Sequence, residues 1–208
     1  MKMAYEEVQA TPLSTVADAF EEIADIVENG KEELRLRAFC DACALVSVLF
    51  NSLGLAFKFA EMEYCSKIRG LSEASERCIT LHDVLDADVK SDTVKSPGSL
   101  SRNLRRVRQG LDLIRALFEQ FLTTRDCSLR EAASSAYTET CAPYHSWAIR
   151  AAVAAGMYTL PSRDQLLINL QETDESAEIR MRSYMKAVHP VIQYIDKLYV
   201  ARDISLDW

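Results

Sequence analysis

The 208-residue sequence has few glycines and few histidines, and it lacks the short motifs that mark many enzyme families. Its six glycines are scattered, so no glycine-rich phosphate loop can be written. No H-E-x-x-H, H-x-E with C-x-x-C, or G-x-S-x-G motif occurs. With only His82, His145 and His189, a nucleophile and its base would have to meet across separate helices. These absences argue against a nucleotide-binding protein, a zinc enzyme or a serine hydrolase.

Long apolar runs and an N-terminal signal are also missing. The most apolar stretch, 42–60, is interrupted by polar residues and a glycine, whereas a membrane-spanning helix needs about 20 largely apolar residues. The opening MKMAYEEVQA has neither an apolar segment nor a cleavage pattern, so it does not resemble a secretory signal. We therefore expect a cytoplasmic protein without a transmembrane helix.

The cysteines form no metal-binding pattern. Cys40 and Cys43 make one C-x-x-C pair, but no second pair or nearby histidine completes a zinc site, and the βαβ context of a redox motif is absent. In a chain expected in the cytoplasm, we predict that the six cysteines, including Cys127, are reduced and mostly buried.

Basic residues are outnumbered by acidic ones, which gives a net charge of −7 and a pI near 5.1. Such a chain repels polyanions, so we expect no nucleic-acid partner and no general attraction to anionic membranes. Any anion-binding site must be a local cluster of basic side chains.

Apolar residues recur with helical spacing along nearly the whole chain, and the alternation typical of strands is almost absent. The pattern predicts an all-α protein of seven to nine helices in one domain, 1–208. Helical patterns cover 11–30, 34–71 with a break near 51–54, 72–90, 100–121 and 174–202, with a kink at Pro190 and further helix starts at Ser128 and Ser162.

The segment SRNLRRVRQG concentrates positive charge. Arg102 and Arg106 lie one helical turn apart, and two guanidinium groups at that spacing match a phosphate. Gly110, a further turn along, is expected to leave the surface beside them open. Arg105 and Arg108 lie on the other side of the helix, where we predict an ordinary solvated face.

The segment FAEMEYCSKI places Glu63 four residues before Lys67, beside an apolar stripe. An exposed helical ion pair in this order contributes about 0.2–0.5 kcal/mol, and taken alone the pair needs no other explanation. The alternative is that Glu63 and Lys67 form half of a binding site for a charged ligand.

Three segments, FNSLGLAFKFAEMEYCSK, SLSRNLRRVRQGLD and APYHSWAIRAAVAAGMYTLPSR, occur in this order. Together they resemble the glycolipid transfer protein superfamily, and most closely its ceramide-1-phosphate branch. The resemblance extends from about residue 34 to the final LDW. It implies a two-layer, all-helical sandwich with an apolar lipid pocket, which carries sphingolipids between membranes without a cofactor or covalent chemistry. It also suggests a link to programmed cell death, through a plant member.

The resemblance also implies roles for individual residues. Phosphate-binding cations of the family fall at Lys67, Arg102 and Arg106, and the groups that recognise the ceramide amide fall at Glu63 and His145. Trp147 matches an aromatic residue implicated in membrane docking. The implied partners are ceramide-1-phosphate or a related sphingolipid and, transiently, a membrane surface; protein partners are not implied.

Two positions depart from the family pattern. Glu63 is one methylene longer than the usual aspartate, which predicts altered affinity or acyl selectivity. Gln109 stands where several relatives carry a basic residue, so one anion contact is missing. A lipid-sensing scaffold and an enzyme acting on the same pocket are the alternative functions.

Overall fold

The computed structural model describes residues 10–124 and 128–208, and within them it confirms the all-α prediction. Ten α-helices and three short 3-10 turns are present in these ranges, and β pairing is limited there to one isolated bridge between Arg35 and Thr80. The helices span Pro12–Asn29 (α1), Leu36–Leu45 (α2), Ser47–Ser52 (α3), Lys58–Ala74 (α4), Leu81–Lys90 (α5), Leu100–Thr123 (α6), Leu129–Thr140 (α7), Trp147–Gly156 (α8), Arg163–Leu170 (α9) and Asp174–Val200 (α10).

Several helix ends follow the capping residues of the sequence. Thr11 caps α1 and Pro12 begins it, while Gly30, with φ of 59°, ends it in the left-handed conformation that suits glycine. Ser128 and Ser162 cap α7 and α9 as predicted.

The predicted helix over 34–71 is broken more often than the sequence indicated. The chain turns at Val46 between α2 and α3, and again at Gly54, whose φ of 86° disfavours residues with a side chain. A 3-10 turn, Leu55–Phe57, then leads into α4.

The predicted helix over 72–90 is wrong in its first part. Helix α4 continues to Ala74 and α5 begins only at Leu81. Thr80 and Asp83 form a capping box at this second start, because each side chain accepts a hydrogen bond from the other residue's backbone N–H.

Helix α6 is at the centre of the packing, because it contacts α4, α5, α7 and α10. Helix α10 also packs against α1 and α5, and α2 packs against α1 and α4. The ring of Tyr184, on α10, connects α1 with α6, because it contacts Phe20 and Phe118 edge-on with centroids 5.5 Å apart in both pairs. One face of α6 is apolar and buried, at Leu104, Val107, Leu111, Ile114, Leu117, Phe118 and Phe121.

Two glycines let α4 and α6 approach closely. A Cβ atom on Gly110 would lie 2.7 Å from the ring of Tyr64, and one on Gly70 would lie 3.0 Å from the side-chain nitrogen of Asn103. Residue 64 thus faces residue 110 and residue 70 faces residue 103, so the two helices run antiparallel. The Tyr64 hydroxyl donates to the Cys43 carbonyl oxygen at 3.2 Å. The prediction that Gly110 leaves an open surface holds in part: the Tyr64 ring packs against Gly110, but Gly110 still borders a cavity beside Arg106.

The prediction of a solvated face at Arg105 and Arg108 was also wrong. Arg105 is buried; it pairs with Asp196 of α10 at 3.2 Å and donates to the Leu206 carbonyl oxygen at 2.6 Å. Arg108 pairs with the same Asp196 and with Asp112, both at 2.6 Å. These arginines tie α6 to α10 and to the C-terminal segment.

The described cysteines agree with the predicted reduced state. All five are free thiols, four of them buried, and Cys127 lies outside the described residues. Burial raises the pKa of Cys40 to about 12 and that of Cys43 well above its ordinary value, so both thiols of the C-x-x-C pair stay protonated.

No helix within the described ranges is both long enough and apolar enough to cross a membrane.

The α4–α6 contact predicts opposite outcomes for two alanine substitutions. Gly110→Ala should lower the free energy of unfolding by about 1–3 kcal/mol, because the new methyl group collides with the Tyr64 ring in a packed interface. Gly70→Ala is the matched control, and its free energy of unfolding should change little. There the higher helix propensity of alanine, about 1 kcal/mol, offsets a milder contact with the Asn103 side chain. Urea unfolding followed by circular dichroism measures both. Equal stability of the two variants would contradict the proposed packing.

Candidate functional site

A cavity of about 160 Å³ lies between α4, α6, α7 and the segment that leads into α8. Polar side chains on its wall are Glu63, Lys67, Arg106, Gln109, Tyr137 and His145. Apolar side chains include Phe50, Phe57, Tyr64, Leu113 and Val153. Along α6 the wall changes from the charged Arg106 to the apolar Leu113 within two turns. This polarity suits an amphipathic ligand with an anionic head.

Four of the six residues implied by the family resemblance line this cavity: Glu63, Lys67, Arg106 and His145. Glu63 and Lys67 do form the helical ion pair, with Oε1 and Nζ 2.8 Å apart. Because the pair also borders the cavity, the two interpretations of FAEMEYCSKI are compatible. The Glu63 carboxylate balances the charge of Lys67.

Arg106 is held inside the cavity wall by Gln109. Its Nη1 donates to Gln109 Oε1 at 2.6 Å, and Gln109 is buried. Burial lowers the pKa of Arg106, and the nearby positive charges of Arg102 and Arg105 lower it further. A negatively charged ligand would relieve this repulsion.

Gln109 also brings a hydrogen-bond donor without a partner. Its Nε2 is buried and has no hydrogen-bond partner among the described residues. A buried unpaired donor costs free energy, on the order of 1–3 kcal/mol. From the sequence, Gln109 was noted only as a position where several relatives carry a basic residue. Its position one helical turn beyond Arg106 is the signal that could have placed both side chains on the same wall.

Arg102 lies outside this cavity wall. Its Nη1 donates to the Lys95 carbonyl oxygen at 2.7 Å, in the loop that precedes α6. It remains one helical turn from Arg106 and acts on it through its charge. The structure therefore brings two of the three implied cations to the cavity and places the third at its edge.

His145 sits between a 3-10 turn, Ala142–Tyr144, and the start of α8. Its backbone N–H donates to the Ala142 carbonyl oxygen at 3.2 Å, and its Nδ1 lies 2.8 Å from the Tyr137 hydroxyl. Burial, and then the charge of Arg106, lowers the pKa of His145, which favours the neutral ring at neutral pH. Nothing in the sequence pattern pointed to Tyr137.

Trp147 begins α8 and does not line the cavity, and 77% of its surface is exposed. Ile149, two residues later, and Tyr158, in the 3-10 turn after α8, are also exposed. The 3-10 turn that packs near α8 exposes Leu55 and, just beyond it, Phe59. Leu55 and Phe59 are each more than 80% exposed. Large apolar side chains exposed on neighbouring segments are typical of a surface that meets a partner or a membrane. Sequence reasoning identified Trp147 alone.

The cavity is small for a lipid. Pockets for drug-sized ligands measure about 300–1,000 Å³, well above the volume seen here. A ligand with long apolar chains would have to widen it by moving side chains such as Phe50 and Leu113.

Comparison with known proteins identifies close relatives. The family model "Glycolipid transfer protein (GLTP)" matches residues 34–172. The "ACD11 homolog protein" of Arabidopsis thaliana is 63% identical over 204 residues, covering 95% of this chain and 89% of the relative. "Accelerated cell death 11" of the same plant is 43% identical over 198 residues, covering 95% and 96% of the two chains.

Solved structures share the fold. A crystal structure of a mutant of Arabidopsis ACD11 complexed with C12 ceramide-1-phosphate matches with a TM-score of 0.93 at 42% identity. The match covers 96% of this chain and all of the ACD11 chain. This similarity confirms the helical sandwich that the resemblance implied.

Proposed function

The chain belongs to the glycolipid transfer protein family, and from this premise we propose that it carries ceramide-1-phosphate, or a closely related phosphorylated sphingolipid, between membranes. The observation that carries this proposal is that Lys67 and Arg106 line the same cavity as apolar side chains such as Leu113. The ceramide-1-phosphate bound by the related ACD11 mutant supports the same ligand class here.

Charge balance supports a phosphate head. A phosphomonoester carries about −1.5 to −2 charges near neutral pH. Lys67, Arg102 and Arg106 together with the carboxylate of Glu63 sum to about +2, so an occupied site would be nearly neutral. Arg102 would contribute through its charge from the edge of the cavity, or directly after releasing the Lys95 carbonyl.

The ceramide amide would lie next to the phosphate, between α4 and the His145 segment. We assign its N–H to the Glu63 carboxylate, which accepts hydrogen bonds, and its carbonyl oxygen to His145. The antiparallel contact of the two helices puts Glu63 level with Gly110, one turn further along α6 than the pair Lys67 and Arg106. This order follows that of phosphate and amide along the lipid.

The proposed activity needs no bond-breaking step. The thiol on the cavity wall, Cys141, has its pKa raised by burial and is therefore a poor nucleophile at neutral pH. For the apolar chains of the lipid, burial in the protein contributes about 0.8 kcal/mol per methylene, which is similar to burial in a bilayer. The free energies of the bound and membrane-embedded lipid can therefore be nearly equal, which permits both loading and release. We therefore assign non-enzymatic transfer.

We further propose that residues 1–208 act as one lipid-transfer domain in the cytoplasm, with transient membrane contact. Trp147 would enter the headgroup layer, where tryptophan is favoured, and Leu55 and Phe59 would contact the membrane beside it. Contact at this face would bring the cavity next to the membrane that supplies or receives the lipid.

Replacing Arg106 by glutamine should abolish most lipid transfer while leaving the fold intact. Hydrogen bonds to a charged group contribute about 1.5–3 kcal/mol each, so affinity for ceramide-1-phosphate should fall at least about tenfold. Transfer of fluorescent ceramide-1-phosphate between vesicles measures this, with circular dichroism as the check on folding. Arg37→Gln is the matched control, since Arg37 is exposed on α2 and pairs with Asp41. Undiminished transfer by the Arg106 variant would refute the assignment.

Replacing Trp147 by alanine should reduce vesicle binding about tenfold, because burying a large apolar side chain contributes about 1.5–3 kcal/mol. Affinity for a water-soluble, short-chain ceramide-1-phosphate should be unchanged, since Trp147 does not line the cavity. Vesicle co-sedimentation and fluorescence titration measure the two quantities. Ile179→Ala, an exposed apolar change on α10, is the control and should bind vesicles like the wild type. A loss of soluble-lipid affinity with normal vesicle binding would contradict the docking role.

A further inference from the structure

Tyr137 occupies the last turn of α7, eight residues before His145, and the two side chains meet on the cavity wall. The Tyr137 hydroxyl oxygen lies 2.8 Å from His145 Nδ1, and the ring centroids are 5.6 Å apart at an angle of 39°. Helix α7 packs against α6, and its Ala132, Ala133 and Ala136 are buried. The hydroxyl is therefore presented from a well-packed helix.

The imidazole of His145 has little else to orient it. The backbone N–H of His145 is bonded to Ala142, and the next side chain, Ser146, is used as the cap of α8. Among the described residues, Tyr137 is the one hydrogen-bond partner of the ring. The orientation and the tautomer of His145 thus depend on Tyr137.

Acid–base chemistry sets the direction of this hydrogen bond. A phenol is a stronger acid than the N–H of a neutral imidazole, so the phenol is the donor. Burial raises the pKa of Tyr137, which keeps its proton in place at neutral pH. The lowered pKa of His145 favours a neutral ring, in which one nitrogen carries the proton and the other has a lone pair, so Nδ1 can accept when the proton is on Nε2.

We infer that Tyr137 is a positioning residue: its hydroxyl donates to Nδ1 of His145, keeps the ring proton on Nε2, and thereby makes Nε2 a donor to the acyl carbonyl oxygen of the bound lipid. The opposite tautomer would present the lone pair of Nε2 to that oxygen, which is repulsive. Tyr137 would thus determine whether the site recognises an acyl carbonyl. The ligand part of this inference rests on the proposed function, whereas the tautomer part does not.

The tautomer is measured first, in the lipid-free protein. With only three histidines, the His145 signals in a nitrogen-detected NMR spectrum of the imidazoles can be assigned by their loss in His145→Gln. We expect a proton on Nε2 in the wild type and a mixture of tautomers in Tyr137→Phe, which keeps the ring but not the hydroxyl. A wild-type proton on Nδ1, or an unchanged tautomer in Tyr137→Phe, would overturn the inference.

Lipid binding then separates positioning from a purely structural effect. Tyr137→Phe should weaken ceramide-1-phosphate binding about three- to tenfold, the range expected for one hydrogen bond. Binding of sphingosine-1-phosphate, which has the phosphate but no acyl carbonyl, should stay the same. In a His145→Gln background the Tyr137 change should have no further effect. Equal losses for both lipids, or additive losses in the double variant, would overturn the inference.

The matched control is Tyr194→Phe. Tyr194 lies edge-on to His82 with ring centroids 6.2 Å apart and outside the cavity wall, so its loss should change neither lipid affinity nor the His145 tautomer. A shift of the His145 tautomer in this control would overturn the assignment to Tyr137. If the wild type bound neither lipid, the proposed function would fail, while the tautomer measurement would still decide the role of Tyr137.

Discussion

The ring of Tyr64 lies directly on Gly110, and this contact holds α4 and α6 closer than any larger residue at position 110 would allow. Because the two helices run antiparallel, Lys67 comes level with Arg106, and Glu63 comes level with Gly110. The ammonium, guanidinium and carboxylate groups of the candidate site therefore come from two helices whose separation is fixed by packing. The Tyr64 ring also forms part of the cavity wall. The contact between Tyr64 and Gly110 therefore shapes the cavity as well as the placement of the charged groups.

The charges and donors around the cavity favour an anionic ligand. Arg106 is half-buried among other cations, Gln109 has an unpaired donor, and Arg102 is bonded to a backbone carbonyl oxygen. Only Lys67 has a carboxylate partner within this set, and that partner is the residue assigned to the amide. In the proposed complex a phosphate would contact Lys67 and Arg106, and the adjacent amide would contact Glu63. Arg105, which is also on α6 and buried, differs from Arg106 because it is already paired with a carboxylate, that of Asp196.

Local patterns in the sequence predicted the helices well, since periodicity and caps are encoded within a few residues. They failed where a distant residue decides the environment. Arg105 was expected to be solvated, but its partner Asp196 lies 91 residues away in the chain. The extra helix start at Leu81 is a different failure, since the Thr80–Asp83 capping box is local and was overlooked.

The candidate site was predictable only through family resemblance. Spacing alone left Glu63 and Lys67 as an ordinary ion pair, and no local rule places His145 on the same cavity as Arg106. The structure brings them together, and their roles remain predictions. Tyr137 and the unpaired amide of Gln109 could not be found from the sequence, because their significance depends on contacts made in the folded chain.

Recognition of both the phosphate and the amide is tested most directly by comparing transfer of three fluorescent lipids between vesicles by the wild-type protein. Ceramide-1-phosphate has both the phosphate and the amide, galactosylceramide has the amide without the phosphate, and phosphatidic acid has the phosphate without the amide. We expect rapid transfer of ceramide-1-phosphate and slow transfer of the other two. Equal transfer of galactosylceramide, or no transfer of ceramide-1-phosphate, would contradict phosphate recognition by Lys67 and Arg106. Equal transfer of phosphatidic acid would contradict recognition of the amide by Glu63.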